Sequence, residues 1–533
     1  MLAGIFGKCY GRHTVRRPVT GRRSFRQDAY FIFRQVCCFT LVACLFGFCP
    51  IALGGDPETK VVSADLKDTQ IPPPTHTLSK LDTDLLDDVS RRSFRYFLEQ
   101  TDPHTGLVLD RAQTNGKPDQ RKNHEHVASI AATGFGLTAY CIAADHRWIS
   151  REFARERVLA ALRFFADKAP QEHGWFYHFM DSTTGERKWH SEISSIDTSL
   201  LLAGVLTARQ YFDTDPEIVD LAKKIYERVD FPWMLDGSKR YFSHGWTPEK
   251  GFLHYRWDTY SELLILYVLG IGSPTHPISG STWDAWKLPI VGSGDYRYVG
   301  GGPLFIQQYS QAWIDLRDRF GPESPSKDSS GVNTVIRPRM NYRVNYFANA
   351  VAATRAQRQL FSQKWSHEFP GYGKDVWGVT ASDSIKGYTN WGASPTDKRI
   401  DGTVVPSAAA GSLMFTPDIC IPALRTMLLK YGKKIYGRYG FADAFNPTTG
   451  WVSHYVIGID VGITLLSAEN LRTGSVWHWF MKNTEPEHAL DMVGLAKPPG
   501  SLLDQIRMLL RPRGHGSQSE PGPGQKATAQ IAR

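Results

Sequence analysis

The chain sets carboxylates where apolar segments begin, and that pattern is one way to make a proton donor. In "RWDTYSELLILYVLGIGSPTHP", Asp258 and Glu262 precede an apolar block that runs from Leu263 to Gly272. Four residues apart on a helix, the two acids would share a face, and like charges repel there. Repulsion and partial desolvation raise a carboxyl pKa, while a helix N-terminus lowers it. A raised carboxyl is what general acid catalysis at neutral pH requires. Asp258 also suits the plain role of a first-turn acid. Glu262, one turn further in and against the apolar run, suits that role less.

Two further segments repeat the pattern. In "HSEISSIDTSLLLAGVL", Ser194 and Asp197 form the S-x-x-D of a capping box, an ordinary structural role. Glu192 lies just outside that helix, beside Trp189 and His190, with no such role. In "GIDVGITLLSAENLRTGSVW", Asp460 lies between glycines at a helix entry. Glycine flanks let a ligand approach the backbone closely, and an N-cap is the alternative. Glu469, deeper in the helix, is placed to pair with Arg472. Loop acids follow: Asp383 in "TASDSIKGY", Asp401 in "DGTVVPSAAAGS" and Asp443 in "YGFADAFNP", each with a turn or cap alternative.

Aromatics surround these acids. The loops carry Trp377, Tyr388, Trp391, Phe415, Phe445 and Trp451, and the first stretch adds Trp257 and Tyr260. A groove of carboxylates and flat rings suits carbohydrate. Two carboxyls across a glycosidic bond make a hydrolase, and their separation sets inversion or retention.

Helices must position these groups. Helical patterns begin at Leu81 and recur over 127–145, 151–168, 194–212, 216–229, 258–272, 303–320, 342–364, 416–431 and 463–480. Many are apolar on more than one face and read as inner helices of a layered all-α body. Strands are few and short. "RYFSHGW" and "GFLHYRW" read as a hairpin around Pro248–Gly251. A closed double ring of helices is the natural solution at this length. "GFGLTA" at Gly134 is helix packing, since no strand precedes it.

Charge narrows the function. The net +9 of the 533 residues comes from the ends: residues 1–54 contribute +7 and the tail from Arg511 +3, leaving the body near neutral. Nucleic-acid binding thereby loses its basic footprint. Residues 1–54 read as an export signal, with a basic stretch, an apolar block and a small-x-small site at Ala52–Gly54. An uncleaved membrane anchor is the alternative. Residues 55–80 read as a linker and 511–533 as a disordered tail. Five of the seven cysteines lie in the first segment, and Cys141 and Cys420 read as buried thiols. H-E-x-x-H, P-loop and G-x-S-x-G motifs are absent. His124 and His126 in "NHEHV" lack an evident third ligand, and a loop or helix-start role is the plainer reading of them.

With these blocks in view, the chain resembles the bacterial glycoamylase-like domain family, which includes endo-β-1,2-glucanases and the C-terminal region of cyclic β-1,2-glucan synthases. "SEISSIDTSLLLAGVL", "YRWDTYSELLILYVLGIGSPTHP", "WGVTASDSIKGY", "DGTVVPSAAAGSLMFTPDICIPALR", "YGFADAFNP" and "GIDVGITLLSAENLRTGSVW" carry the resemblance over residues 81–495. It implies an (α/α)6 toroid over 81–500 with short hairpins in its loops. It further implies an inverting glycoside hydrolase without metal. Glu262 matches the general acid, and Glu192 and Asp197 match acids of the substrate cleft. Asp460 is the favoured base, with Asp443 and Asp401 behind it. Where the family pattern reads "GIDQGP", this chain has Val461 at the Gln and Ile463 at the Pro, with Gly462 between them. Asp258, Trp257, Tyr260, Asp383, Tyr388 and Trp391 complete the expected substrate-binding set. The expected enzyme is a monomeric, exported hydrolase of a β-glucan, periplasmic or secreted, most simply an endo-β-1,2-glucanase. A polysaccharide lyase on the same toroid and a non-catalytic glycan-binding protein are its rivals.

Overall fold

Helices that are apolar all round have nowhere to go but inside, and here they form a ring. The computed structural model describes residues 77–119, 121–293, 295–319, 344–392 and 397–495. The expected signal segment, nearly all of the expected linker, and the tail fall outside the described residues.

The helices, in chain order, are α1 (Lys80–Gln100), α2 (Ile130–Asp145), α3 (Arg151–Asp167), α4 (Ser195–Tyr211), α5 (Pro216–Glu227), α6 (Leu264–Gly272) and α7 (Phe305–Trp313). They continue as α8 (Tyr346–Gln359), α9 (Pro406–Ala410), α10 (Pro417–Tyr431), α11 (Gly458–Arg472), α12 (Ser475–Met481) and α13 (Thr484–Met492). Helices α2, α4, α6, α7, α9 and α11 are buried along nearly their whole length. Neighbouring pairs pack in the order α2–α4, α4–α6, α6–α7, then α9–α11 and α11–α2, which closes the ring. Gln308 bridges the remaining step, donating from α7 to the Ala408 carbonyl on α9 at 2.9 Å. Helices α1, α3, α5, α8, α10 and α13 pack outside, and α12 lies against α4, α7 and α11. This is an (α/α)6 toroid.

Short strand pairs gather at one end. Residues Arg111–Gln113 pair with Tyr455–Ile457, and Val127–Ser129 with Phe179–Asp181. Ile193–Ser194, Gly245–Thr247 and Gly251–Phe252 form a three-stranded sheet that contains the expected hairpin. Three of these strands run straight into inner helices α2, α4 and α11.

Several element limits differ from the sequence reading, each for a local reason. The segment from Asp258 to Leu263 is not helical, because it pairs with Lys287. Tyr260 N–H donates to the Lys287 carbonyl at 2.9 Å and Lys287 N–H to that of Asp258 at 2.7 Å. Asp258 and Glu262 therefore share no helix face. Residues 127–129 are strand and cap rather than helix. The helices expected over 303–320 and 342–364 are shorter, and the latter passes into a π turn at Leu360–Lys364. The helix expected over 463–480 starts at Gly458 and breaks at Gly474, whose φ of 70° ends α11 and starts α12. Cys141 and Cys420 are free and buried, as expected.

"GFGLTA" is indeed helix packing. A Cβ on Gly134 would sit 2.2 Å from the Leu200 carbonyl oxygen, and one on Gly204 would sit 2.1 Å from that of Gly134. Helices α2 and α4 thus meet backbone to backbone. Gly134→Ala is expected to cost about 1–3 kcal/mol by overpacking, although alanine favours helix. Thermal unfolding should show a lower Tm for this variant.

Candidate active site

The starts of the inner helices converge on one mouth, and acids occupy those starts. Asp197 and Asp460 are the third residues of α4 and α11, and Glu262 lies two residues before α6. Most helix starts are tied to the segment that enters the next inner helix, and that of α6 to a side chain within α7. Ile130 N–H donates to the His178 carbonyl at 3.2 Å, Ser195 N–H to that of His244 at 3.2 Å, and Gly458 N–H to that of Asp110 at 2.7 Å. Ile265 N–H donates to Ser310 Oγ on α7 at 3.0 Å, and Phe305 N–H to Thr380 Oγ1 at 3.1 Å. Helix α9 begins with Pro406, which has no N–H, so Val404 makes the link, exchanging backbone hydrogen bonds with Phe445.

Asp443 and Asp460 form a buried carboxyl pair. Ser407, on α9, donates to Asp460 Oδ1 at 3.0 Å. The Asp383 N–H donates to Asp443 Oδ2 at 2.7 Å. The other oxygens, Asp443 Oδ1 and Asp460 Oδ2, meet no donor among the described residues. The two carboxyls hydrogen-bond each other, so a shared proton satisfies both. Burial pushes Asp443 well above the usual carboxylate range, and the charges of Asp383 and Asp460 push it further. Burial also pushes Asp460 up to about 7. Two adjacent buried carboxylates cannot both ionise cheaply, so the pair keeps one proton at neutral pH, with Asp443 its holder.

Arg111 offsets the charge behind them. Its buried guanidinium meets Asp383 at 3.2 Å and Asp110 at 3.0 Å. Ser453 donates to the second Asp383 oxygen at 3.0 Å. Tyr388 lies 6.0 Å from the same guanidinium.

Glu262 faces a different balance. It is 7% exposed, and burial raises its carboxyl to about 7, with the Asp197 charge adding to the effect. Between Asp197 and Glu192 stands His178, its Nδ1 3.0 Å from Glu192 and its Nε2 3.4 Å from Asp197. Burial opposes its protonation, but the Asp197 and Glu192 charges outweigh it and raise His178 to about 9. Burial pushes Glu192 up, yet His178 leaves it lowered overall. Asp197 stays raised by burial. These three are a group whose ligand atoms lie close enough for a metal ion. An imidazolium bridging the two carboxylates already supplies the cation, and a metal would have to displace its proton. Nearby His244 is driven down to about 4 by burial and is neutral at pH 7. Tyr309, on α7, feels Asp460, Glu262 and Asp443 together, which sets it among the acids of both groups.

The structure thus gathers Glu262, Asp460, Asp443, Asp383, Tyr388, Glu192 and Asp197 around the mouth, and separates the rest. Asp258 is paired with Lys287 at 3.0 Å and belongs to the 258–260 turn. Trp257 is buried, donates to Ser195 Oγ at 2.9 Å and stacks on His244 at 3.9 Å. Tyr260 is buried and donates to Gln307 Oε1 at 2.8 Å. Trp391 is 1% exposed and donates to Ser382 Oγ at 3.0 Å. None of these three rings is free to stack on a sugar. Asp401 closes a turn by accepting the Thr403 N–H at 3.0 Å. Trp377, Phe415 and Phe445 are core residues. Gly458 and Gly462 admit protein, not ligand: Cβ atoms there would meet the Leu109 carbonyl at 3.1 Å and the Phe135 ring at 2.5 Å. Asp110, Arg111, His178, Tyr309 and Ser407 were not found from sequence. Only His178 carried a hint, a lone histidine between aromatics in "FYHFMD".

The chain is similar to known proteins over most of its described length. The Glycoamylase family model, described as "Putative glucoamylase", matches residues 254–484. An exo β-1,2-glucooligosaccharide sophorohydrolase (non-reducing end) from Parabacteroides distasonis is 28% identical over 455 residues, 78% of this chain and 58% of that one. The chain therefore spans less than two thirds of that relative's length. An endo-β-1,2-glucanase from Chitinophaga pinensis, solved with sophorotriose and glucose, superposes with a TM-score of 0.68 at 26% identity, covering 78% of this chain and 99% of that one. A β-1,2-glucanase from Parabacteroides distasonis gives 0.67 at 26% identity, covering 79% and 61%.

The His178 bridge has a pH signature. Its folded pKa lies above the ordinary 6.5, so its stabilisation is complete below that value and is lost as pH rises through about 9. His178→Gln is expected to lower the Tm markedly below about pH 6.5 and much less above about 9, as read by thermal unfolding across pH.

Proposed function

We propose that this chain belongs to the glycoamylase-like family and is an inverting glycoside hydrolase acting on β-1,2-linked glucan. The observation that carries the reading is the set of buried carboxyls at one mouth, with Glu262 raised to about 7 and Asp460 backed by a protonated Asp443. The activities named for the similar proteins support the linkage. They favour β-1,2-glucan over starch despite the family's label.

In this mechanism Glu262 gives its proton to the glycosidic oxygen as the C–O bond breaks. Asp460, directly or through a substrate hydroxyl, takes a proton from the water that attacks the opposite face of the sugar. The new C–O bond forms with inversion, and the leaving sugar departs as an alcohol. Asp443 holds the shared proton and leaves Asp460 the member free to accept. Arg111 and His178 balance the negative charge of the mouth without touching the reacting bond. A signal segment at residues 1–54 would deliver the enzyme to the periplasm or beyond.

The lyase alternative fits less well. It needs a cationic subsite for uronates, whereas acids crowd this mouth and His178 is engaged by two of them.

Glu262→Gln is expected to lower kcat by about 10²–10⁴-fold while oligosaccharide binding persists. Wild-type-like turnover by this variant would sink the assignment. Asp460→Asn should lose turnover to a similar extent. Asp443→Asn, which swaps a protonated carboxyl for an amide donor, should retain more of it. Rates measured across pH should form a bell near neutrality, falling as pH rises through about 7 when Glu262 ionises and falling on the acid side as Asp460 takes up its proton. A product panel over β-1,2-, β-1,3-, β-1,4- and α-1,4-glucans, followed by new reducing ends and product anomer, tests linkage and inversion together.

A further inference from the structure

The rim of the mouth contains a strained loop that the catalytic reading leaves unused. Among the described residues, eight non-glycine positions have positive φ, and four of them fall in two touching loops: Asn123 (65°), His126 (59°), Trp189 (54°) and His190 (50°). A bulky residue such as tryptophan avoids this region unless its surroundings force it there. Here they do. Arg187 Nε donates to the Ser191 carbonyl at 2.5 Å and Nη2 to that of His190 at 2.7 Å. The same guanidinium meets Glu249 at 2.6 Å on the neighbouring hairpin. Lys188 pairs with Asp181 at 2.9 Å, and its N–H donates to the Phe179 carbonyl at 2.9 Å. Trp189 Nε1 then donates across to the Asn123 carbonyl at 2.7 Å.

The loop thus holds one indole in one orientation. Its ring contacts are edge-on: His124 at 4.9 Å and 64°, and Phe179 at 5.0 Å and 63°. No other ring lies flat on it among the described residues, and it is only partly buried. Phe179 stacks on His178 at 3.8 Å, and His178 bridges Glu192 and Asp197. The indole therefore stands at the Glu192 end of the mouth, one ring beyond the acids.

We propose that Trp189 is a sugar-stacking platform that binds a glucosyl unit beyond those flanking the cleaved bond, and so sets the enzyme's chain-length preference. The inference rests on the glycan-hydrolase reading. An indole face matches the apolar face of a pyranose, and a platform fixed in advance loses no side-chain freedom on binding. Backbone strain at a partly exposed tryptophan has no evident use in packing, while it does aim the ring.

The test is steady-state kinetics of the full chain on β-1,2-glucooligosaccharides from sophorotriose upward, with calorimetric binding of the same series to the Glu262→Gln protein. Trp189→Ala is expected to raise KM for the longer substrates by up to roughly tenfold, the size of an aromatic stacking contact. The effect should grow with chain length and fall on KM rather than kcat, and Trp189→Phe should restore most of it. An unchanged KM at every length in an otherwise active enzyme overturns the platform and leaves the hydrolase reading intact. So does an equal loss at every length that phenylalanine does not restore, which marks Trp189 as structural. A parent enzyme that neither binds nor cleaves any member of the series removes the glycan reading, and the platform with it.

Discussion

The structure depends on one repeated hydrogen-bonded step. A helix start leaves N–H groups without intrahelical partners. In this toroid, most starts of inner helices are satisfied by the segment that enters the next inner helix. Asp110, His178 and His244 each lend a backbone carbonyl to this stitching, and each has a titratable side chain beside the mouth. Ring closure and site assembly are therefore one geometric event. If one step slips, neighbouring helices lose register and the acids lose their spacing together.

That arrangement also explains how so many carboxyls can coexist. Asp197 and Asp460 sit in first helical turns, where the dipole favours negative charge, while burial penalises it. The chain resolves the conflict twice, in different ways. On one side an imidazolium bridges Glu192 and Asp197. On the other, Asp443 and Asp460 share a proton and Arg111 compensates Asp383 and Asp110. Glu262 has no cation of its own within these contacts, and so burial raises its carboxyl to about 7.

Much of the fold was legible because all-round apolar helices have one destination, and the glycines of "GFGLTA" pointed to close helix contact. Glu262 was legible for the same reason: the apolar block after it signals desolvation, even though the helix begins two residues later than the acid. Asp258 misled because helical spacing was assumed where Lys287 holds the chain extended. The Asp443–Asp460 pair was out of reach, since the two arrive from a loop and a helix start and only the closed ring joins them. Trp257, Tyr260 and Trp391 misled because residue type does not tell a buried ring from an exposed one. His178 and Arg111 lack a motif; their meaning comes from acids far away in sequence.

The outer ring carries a consequence for how the molecule comes into being. Helix α13, the last described, packs on α6 from the middle of the chain, and α1 packs on α11 near the other end. A chain emerging from a ribosome can pair α2 with α4 early, yet it cannot finish the wall beside α6 until α13 has arrived. The half-built ring must keep its apolar flank covered in the meantime. Such an architecture favours late, nearly simultaneous closure, and makes the protein a natural client for chaperones that hold unfolded chains.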